Sequence, residues 1–186
     1  MLSLKFALLC AFAVAAMAAA ASPAVAANPV VVMDTNQGTI EIELYADKSP
    51  VTVKNFLAYV ADKHYDGTIF HRVISNFMIQ GGGFEPGMKQ KKAKAPIKNE
   101  SGNGVTNARG NIAMARTSDL DSATCQFFIN TVDNEALDEG KYCAFGKVIK
   151  GLDVVDKIRK VKTGNAEGFQ NVPAEDVVIK SVTVKK

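Results

Sequence analysis

Phe70-His71-Arg72-Val73-Ile74-Ser75-Asn76-Phe77-Met78-Ile79-Gln80-Gly81-Gly82-Gly83-Phe84 decides how the chain is read. One charged side chain, Arg72, stands among apolar residues, and Phe77, Met78 and Gln80 follow a short polar break. Strand side chains alternate between faces, so Arg72 and Ile74 share one, and Phe77 and Ile79 share one in the next strand. A guanidinium held against aromatic and thioether groups suits an apolar ligand that carries a carbonyl. The pattern by itself fits a buried arginine satisfied by backbone carbonyls equally well. Gly81-Gly82-Gly83 is not followed by Gly-Lys-Ser/Thr and opens no helix pattern. It reads as crowded backbone at a strand end, not as a phosphate loop.

Outward from this stretch, strand patterns outnumber helical ones. Val30–Thr35 and Thr39–Leu44 flank Asn36-Gln37-Gly38, and the second alternates apolar and acidic residues, the mark of a half-buried hairpin strand. Ser49-Pro50 opens a helix, with Ser49 as its cap and Pro50 at the first helical position. Val53, Phe56, Leu57 and Val60 then fall on one helical face. Further strands are predicted at Thr68–Ile74, Phe77–Gln80, Asn111–Ala115, Gln126–Thr131, Ala144–Ile149 and Asp176–Val184, and a second helix at Leu152–Val161. Roughly eight strands, two helices and long irregular connections suggest a mainly β protein, a closed barrel capped by helices.

Composition bounds the rest. With 186 residues, 47% hydrophobic and 22% charged, the chain fits one domain whose core needs no disulfide or metal staple. Fourteen Gly and six Pro argue against collagen-like or low-complexity sequence. A balance of 22 basic and 19 acidic residues, net +3, is too even for a dedicated nucleic-acid binder. Two His and three Cys leave little material for a metal site. Lys89, Lys91, Lys92, Lys94 and Lys98 read as a solvated loop more readily than as an anion site. Asn99-Glu100-Ser101 fits a glycosylation acceptor and marks its loop as exposed.

The N-terminus reads as a secretory signal peptide at 1–26. Lys5 supplies the positive charge, Phe6–Ala21 the apolar run, and Ser22–Ala27 a small-residue boundary for cleavage after Ala26 or Ala27. The alternative, a membrane anchor, would need a run of about 20 residues. Residues 27–186 form the exported domain, periplasmic, or secreted where there is no outer membrane. Export places Cys125 and Cys143 in an oxidising compartment. If Gln126–Thr131 and Ala144–Ile149 form a hairpin, Cys143 lies opposite Asn130, roughly five residues or 16 Å from Cys125. A disulfide needs Cα atoms within about 7 Å, so two free, partly buried thiols are expected.

Asn55-Phe56, Gly110-Asn111-Ile112-Ala113-Met114-Ala115-Arg116, Ser122-Ala123-Thr124-Cys125-Gln126-Phe127-Phe128-Ile129 and Phe145-Gly146-Lys147-Val148 accompany the opening stretch. In this order they resemble the cyclophilin-type peptidyl-prolyl cis-trans isomerases over essentially the whole exported domain. With the signal peptide, the resemblance is to a bacterial periplasmic member. It implies a closed eight-stranded antiparallel β-barrel capped by two α-helices, with a substrate groove on its outer face. By motif position Arg72 matches the catalytic arginine. Phe77, Met78, Gln80, Phe128 and Leu137 match the residues that line the proline pocket and hold the peptide. Ala115, Arg116 and Gln126 match the backbone-binding side of the groove, and Tyr142 falls where the family often has His. His71 matches a family position with a structural role.

Four departures stand out. Ser75 replaces a frequent Pro, Arg116 replaces the Asn of eukaryotic members, and the loop Ser118–Asp121 differs in length. Ala136 occupies the position of the Trp in cyclosporin-sensitive members, so weak cyclosporin binding is expected. The implied reaction is rotation about an X–Pro bond, which breaks no bond and so needs no nucleophile, metal or cofactor. The implied partners are proline-containing unfolded or exported polypeptides, not nucleic acid and not membrane after signal cleavage, with a monomer as the working unit. Two rivals are a peptide-binding chaperone without turnover and a barrel for sugars or small ligands. The absence of Trp weakens the second.

Overall fold

The computed structural model describes residues 28–186. The signal peptide expected at 1–26 lies outside them. Val30–Thr35 (β1) and Gly38–Leu44 (β2) form the expected hairpin, Thr35 facing Gly38 and Val30 facing Glu43. Ile40, Ile42 and Leu44 are fully buried, and the alternating Glu41 and Glu43 stay on the other face.

Pro50–Ala61 (α1) follows, yet the Ser49 hydroxyl does not cap it. Glu100 does so from a distant loop, its carboxylate oxygens accepting from the N–H groups of Val51 and Thr52 at 3.1 and 2.8 Å. A carboxylate there also meets the positive end of the helix dipole, which a serine hydroxyl does not. The Ser49 hydroxyl instead accepts a hydrogen bond from Asn103 Nδ2. Val53, Phe56 and Val60 are buried as expected, together with Tyr59, while Leu57 is only half-buried.

Then come Arg72–Ile74 (β3), Met78–Gly81 (β4), the paired short strands Phe84–Glu85 (β5) and Lys89–Gln90 (β6), Asn111–Met114 (β7) and Phe127–Asn130 (β8). Glu135–Glu139 (α2), Ala144–Lys150 (β9), Leu152–Ile158 (α3), Thr163–Ala166 (β10), Phe169–Pro173 (β11) and Ile179–Val184 (β12) complete the chain. The main sheet has eight strands in the order β12-β1-β2-β9-β7-β8-β4-β3, and every neighbouring pair is antiparallel.

The sheet curls into a half-barrel that is open between β3 and β12, not the closed barrel expected. The cause is local. Thr68 folds back on Tyr65, whose carbonyl accepts from the Thr68 N–H and hydroxyl, so strand geometry starts at Arg72 and not at Thr68. Irregular backbone spans the seam: Ile69 meets Val178, and the N–H groups of Gly67 and Phe70 donate to Ile179 and Val177 carbonyls at 2.8 and 2.9 Å.

Other boundaries moved too. α3 ends at Ile158, short of Val161, and α2 forms where a loop was expected. A β10–β11 hairpin forms where the sequence pattern predicts no strand; Glu167 and Gly168 turn it with φ of 48° and 82°, the paired left-handed geometry of a tight hairpin. β7 runs between β8 and β9, so Gln126–Thr131 and Ala144–Ile149 do not form the expected hairpin. Cys125 and Cys143 are nevertheless free, and both are buried.

The curl gives the sheet two apolar faces. Phe56, Phe127, Ile129, Ile112, Ile79 and Phe145 belong to the main core inside it. On the opposite face Met78, Phe128, Ala113 and Ala144 form a second cluster, with Phe77, Leu137 and Tyr142 packed against it.

Candidate active site

Strand register builds the site. Arg72 lies opposite Gln80, Gln80 opposite Phe128, Phe128 opposite Ala113, and Ala113 opposite Ala144. Directly opposed residues share a face, so one row across β3, β4, β8, β7 and β9 runs from a cation to small apolar side chains. Above that row lies a cavity of about 390 Å³ lined by Arg72, Phe77, Met78, Gln80, Ala115, Arg116, Phe128, Leu137 and Tyr142. Met78 and Phe128, both buried, sit on the floor strands β4 and β8. Leu137 comes from α2, and Tyr142 from the segment between α2 and β9.

Phe77 reaches this cavity from the turn before β4, so it does not share a face with Ile79, which lies in the main core. Two-residue alternation does not extend through a turn. Gln126 lines the neighbouring cavity of about 400 Å³, with Thr117, Ser122 and Thr124; Gln80, Ala115 and Arg116 border both.

A chain of amide contacts fixes the cation. Arg72 Nη1 donates to Gln80 Oε1 at 3.3 Å, and Gln80 Nε2 donates to Gln126 Oε1 at 2.9 Å. A Cβ on Gly83 would stand 2.6 Å from Gln126 Cγ, so the absence of a side chain there lets Gln126 lie in place. The glycine run is therefore crowded backbone at a strand end, as its sequence suggested.

The Arg116 side chain braces the wall. Its guanidinium lies over the Tyr142 ring, 4.4 Å from the centroid, and donates to the Thr117 and Gly140 carbonyls. His71 is buried with its ring against Phe84, 4.6 Å between centroids. Burial pushes its pKa down to about 4, so the ring is neutral at pH 7 and has no charge to offer the groove.

The lysine loop faces carboxylates, Lys89 and Lys91 pairing with Glu85 and Lys94 with Asp62. Asn99 uses its amide to donate to the Leu120 and Lys141 carbonyls, which ties the Ser118–Asp121 loop to the groove wall. Among the described residues, no three His, Cys, Asp or Glu side chains converge as a metal ion requires.

The profile of the cyclophilin-type peptidyl-prolyl cis-trans isomerases matches residues 30–184. The chain belongs to this family. It is 57% identical over 164 residues to peptidyl-prolyl cis-trans isomerase B of Escherichia coli K12, covering 84% of this chain and 100% of that one. A peptidyl-prolyl cis-trans isomerase of Acinetobacter baylyi is 59% identical over 160 residues, covering 84% and 85%. A crystal structure of a Cryptosporidium parvum cyclophilin-type isomerase superposes with a TM-score of 0.77 at 28% identity, covering 86% of this chain and 98% of that one. The same isomerase in the presence of the dipeptide Ala-Pro gives 0.76 at 28%, covering 84% and 99%.

The protein is thus a peptidyl-prolyl cis-trans isomerase, and its groove lies on the outer face of a cyclophilin half-barrel. This cyclophilin also contains residues the sequence did not single out. Asn107, Asn130 and Asn134 form an amide network behind the cavity, joined to the carbonyls of Phe77 and Tyr142. The only sequence signal was Asn134 ahead of Glu135, a helix-start pattern. Ala136 is exposed on α2, one residue before Leu137.

Proposed function

We propose that Arg72 accelerates X–Pro rotation by donating a hydrogen bond to the prolyl nitrogen in the twisted state. The planar amide resists rotation by about 18–20 kcal/mol because its nitrogen lone pair is delocalised into the carbonyl. Twisting localises that lone pair, and a guanidinium N–H beside it then gains an acceptor that the planar ground state lacks. An interaction made only there lowers the barrier without tightening ground-state binding. The observation that carries this reading is the opposed row Arg72–Gln80–Phe128, which sets a cation at the lip of an apolar pocket.

In this reading Phe77, Met78, Phe128 and Leu137 hold the pyrrolidine ring. Removal of water there strengthens the hydrogen bond. Gln80 orients Arg72 through its amide oxygen and gives one N–H to Gln126, leaving a second N–H for a substrate carbonyl. Ala115, Arg116, Gln126 and Tyr142 flank the path of the peptide backbone. The substrates are proline-containing unfolded polypeptides, and the chain acts on exported proteins as a monomer after removal of residues 1–26. The small-residue boundary at Ser22–Ala27 supports export, and no described helix is long and apolar enough to cross a membrane.

A protease-coupled assay on a proline tetrapeptide tests this. Arg72→Ala should lower kcat/KM by about two orders of magnitude, the scale for losing one donor aimed at transition-state charge. Equal turnover by variant and parent removes Arg72 from the mechanism. No turnover by the parent itself leaves a peptide-binding chaperone.

A further inference from the structure

We propose that Asn107, Asn130 and Asn134 act as a positioning relay that sets the width of the proline pocket, fixing Phe77 on one wall and Leu137 and Tyr142 on the other. The inference rests on the pocket reading given above. α2, which carries Leu137, has no fully buried side chain, and Leu137 itself packs against the sheet only half-buried.

Amide contacts also hold it there. Asn130 is fully buried on β8 and donates through Nδ2 to Asn107 Oδ1 at 3.2 Å and to the Asn111 carbonyl at 3.1 Å. Its Oδ1 accepts from Asn134 Nδ2 at 2.7 Å, and the same Nδ2 donates to the Phe77 carbonyl at 2.8 Å. Asn107, also fully buried, donates through Nδ2 to Asp138 on α2 at 2.8 Å and to the Tyr142 carbonyl at 3.0 Å. Its backbone N–H reaches the same Asp138 oxygen at 2.8 Å.

The two walls are thereby joined through a single run of amides anchored on the strand that carries Phe128. Hydrogen bonds fix donor and acceptor to within a few tenths of an ångström and favour one direction. Apolar contact has no such directionality. Buried amides are costly unless paired, so displacement of one wall unpairs the relay and is resisted across its length. The Thr131 N–H also holds the Phe77 carbonyl, at 3.1 Å, so loss of Asn134 loosens that wall without freeing it.

The test is a kcat and KM comparison on a proline tetrapeptide, with thermal melting to confirm folding. A looser ring pocket weakens ground and twisted states alike, which raises KM and leaves kcat unchanged. Asn134→Ala should raise KM about fivefold, the scale of one hydrogen bond. In a Phe77→Ala background, where that wall is gone, the same change should raise KM less than about twofold. Partial unfolding would instead lower apparent kcat at constant KM. Asn134→Asp, which keeps the size and the helix-start preference but loses the Nδ2 donor, should reproduce the KM effect should the alanine variant fail to fold. Unchanged KM in the Asn134 variants, or an equal rise in both backgrounds, overturns the relay. If Phe77→Ala alone leaves KM at the parent value, the pocket reading fails and the relay with it.

Discussion

Gln80 faces Arg72 with its amide oxygen and Gln126 with its nitrogen, so a change at residue 80 acts first on the arginine. Gln80→Leu keeps the strand position and removes the acceptor. It should lower kcat/KM about five- to tenfold, the scale of one hydrogen bond to a charged group, in the same protease-coupled assay. His71 gives a different signal. Its folded pKa, about 4, lies below the unfolded value near 6.5, so the unfolded chain binds the proton more readily between them. Its contribution to stability is intact above pH 6.5 and is lost as the pH falls towards 4, on the order of 3 kcal/mol in total. Denaturant melts at pH 7 and pH 4.5 should show a larger acid loss in the parent than in His71→Phe; equal losses would show that the ring is hydrated. Ala136, exposed beside Leu137, predicts an active isomerase that cyclosporin inhibits weakly. Ala136→Trp should strengthen inhibition by roughly two to three powers of ten with little change in turnover, and nanomolar inhibition of the parent would contradict the placement. At this scale the pocket residues were legible because strand position and the family motif assign them. The Arg116 side chain was not, because its direction depends on Tyr142 and Gly140, which sequence distance does not bring near it.

The strands were legible where an alternating pattern ran for several residues, as in Thr39–Leu44, and one helix was announced by Ser49-Pro50. α2 escaped notice because five residues hold too little of a 3.6-residue period to show one, and none of its side chains is buried. The β10–β11 hairpin escaped because its residues are largely exposed and polar, leaving no apolar alternation to read. The cap of α1 illustrates a harder limit. A serine at the expected cap position reads as the capping group, while the actual group, Glu100, is 48 residues from Thr52 in sequence. Glu100→Ala should therefore cost about 1–2 kcal/mol, with Tm lower by several degrees. A Glu100→Ala variant that melts at the parent's temperature would return the cap to Ser49.

Across the whole molecule, curling one antiparallel sheet gives a buried apolar interior and, on the outside, a shallow apolar cluster that becomes the groove floor. The family motif made that architecture legible. The strand order was not, since nothing in the spacing places β7 between β8 and β9, and the seam between β3 and β12 depends on a turn at Thr68. The same ordering defeated the route by which free thiols were expected, though both cysteines are free and burial pushes both thiols' pKa up. The central claim is that Arg72 acts on the twisted amide and not on the bound ground state. Exchange NMR of a proline peptide at saturating protein reads both quantities in one sample, the bound fraction and the cis–trans exchange rate on the protein. For Arg72→Ala the account predicts binding within about threefold of the parent and exchange slowed about a hundredfold. Exchange retained on the bound peptide, with binding weakened instead, would contradict it.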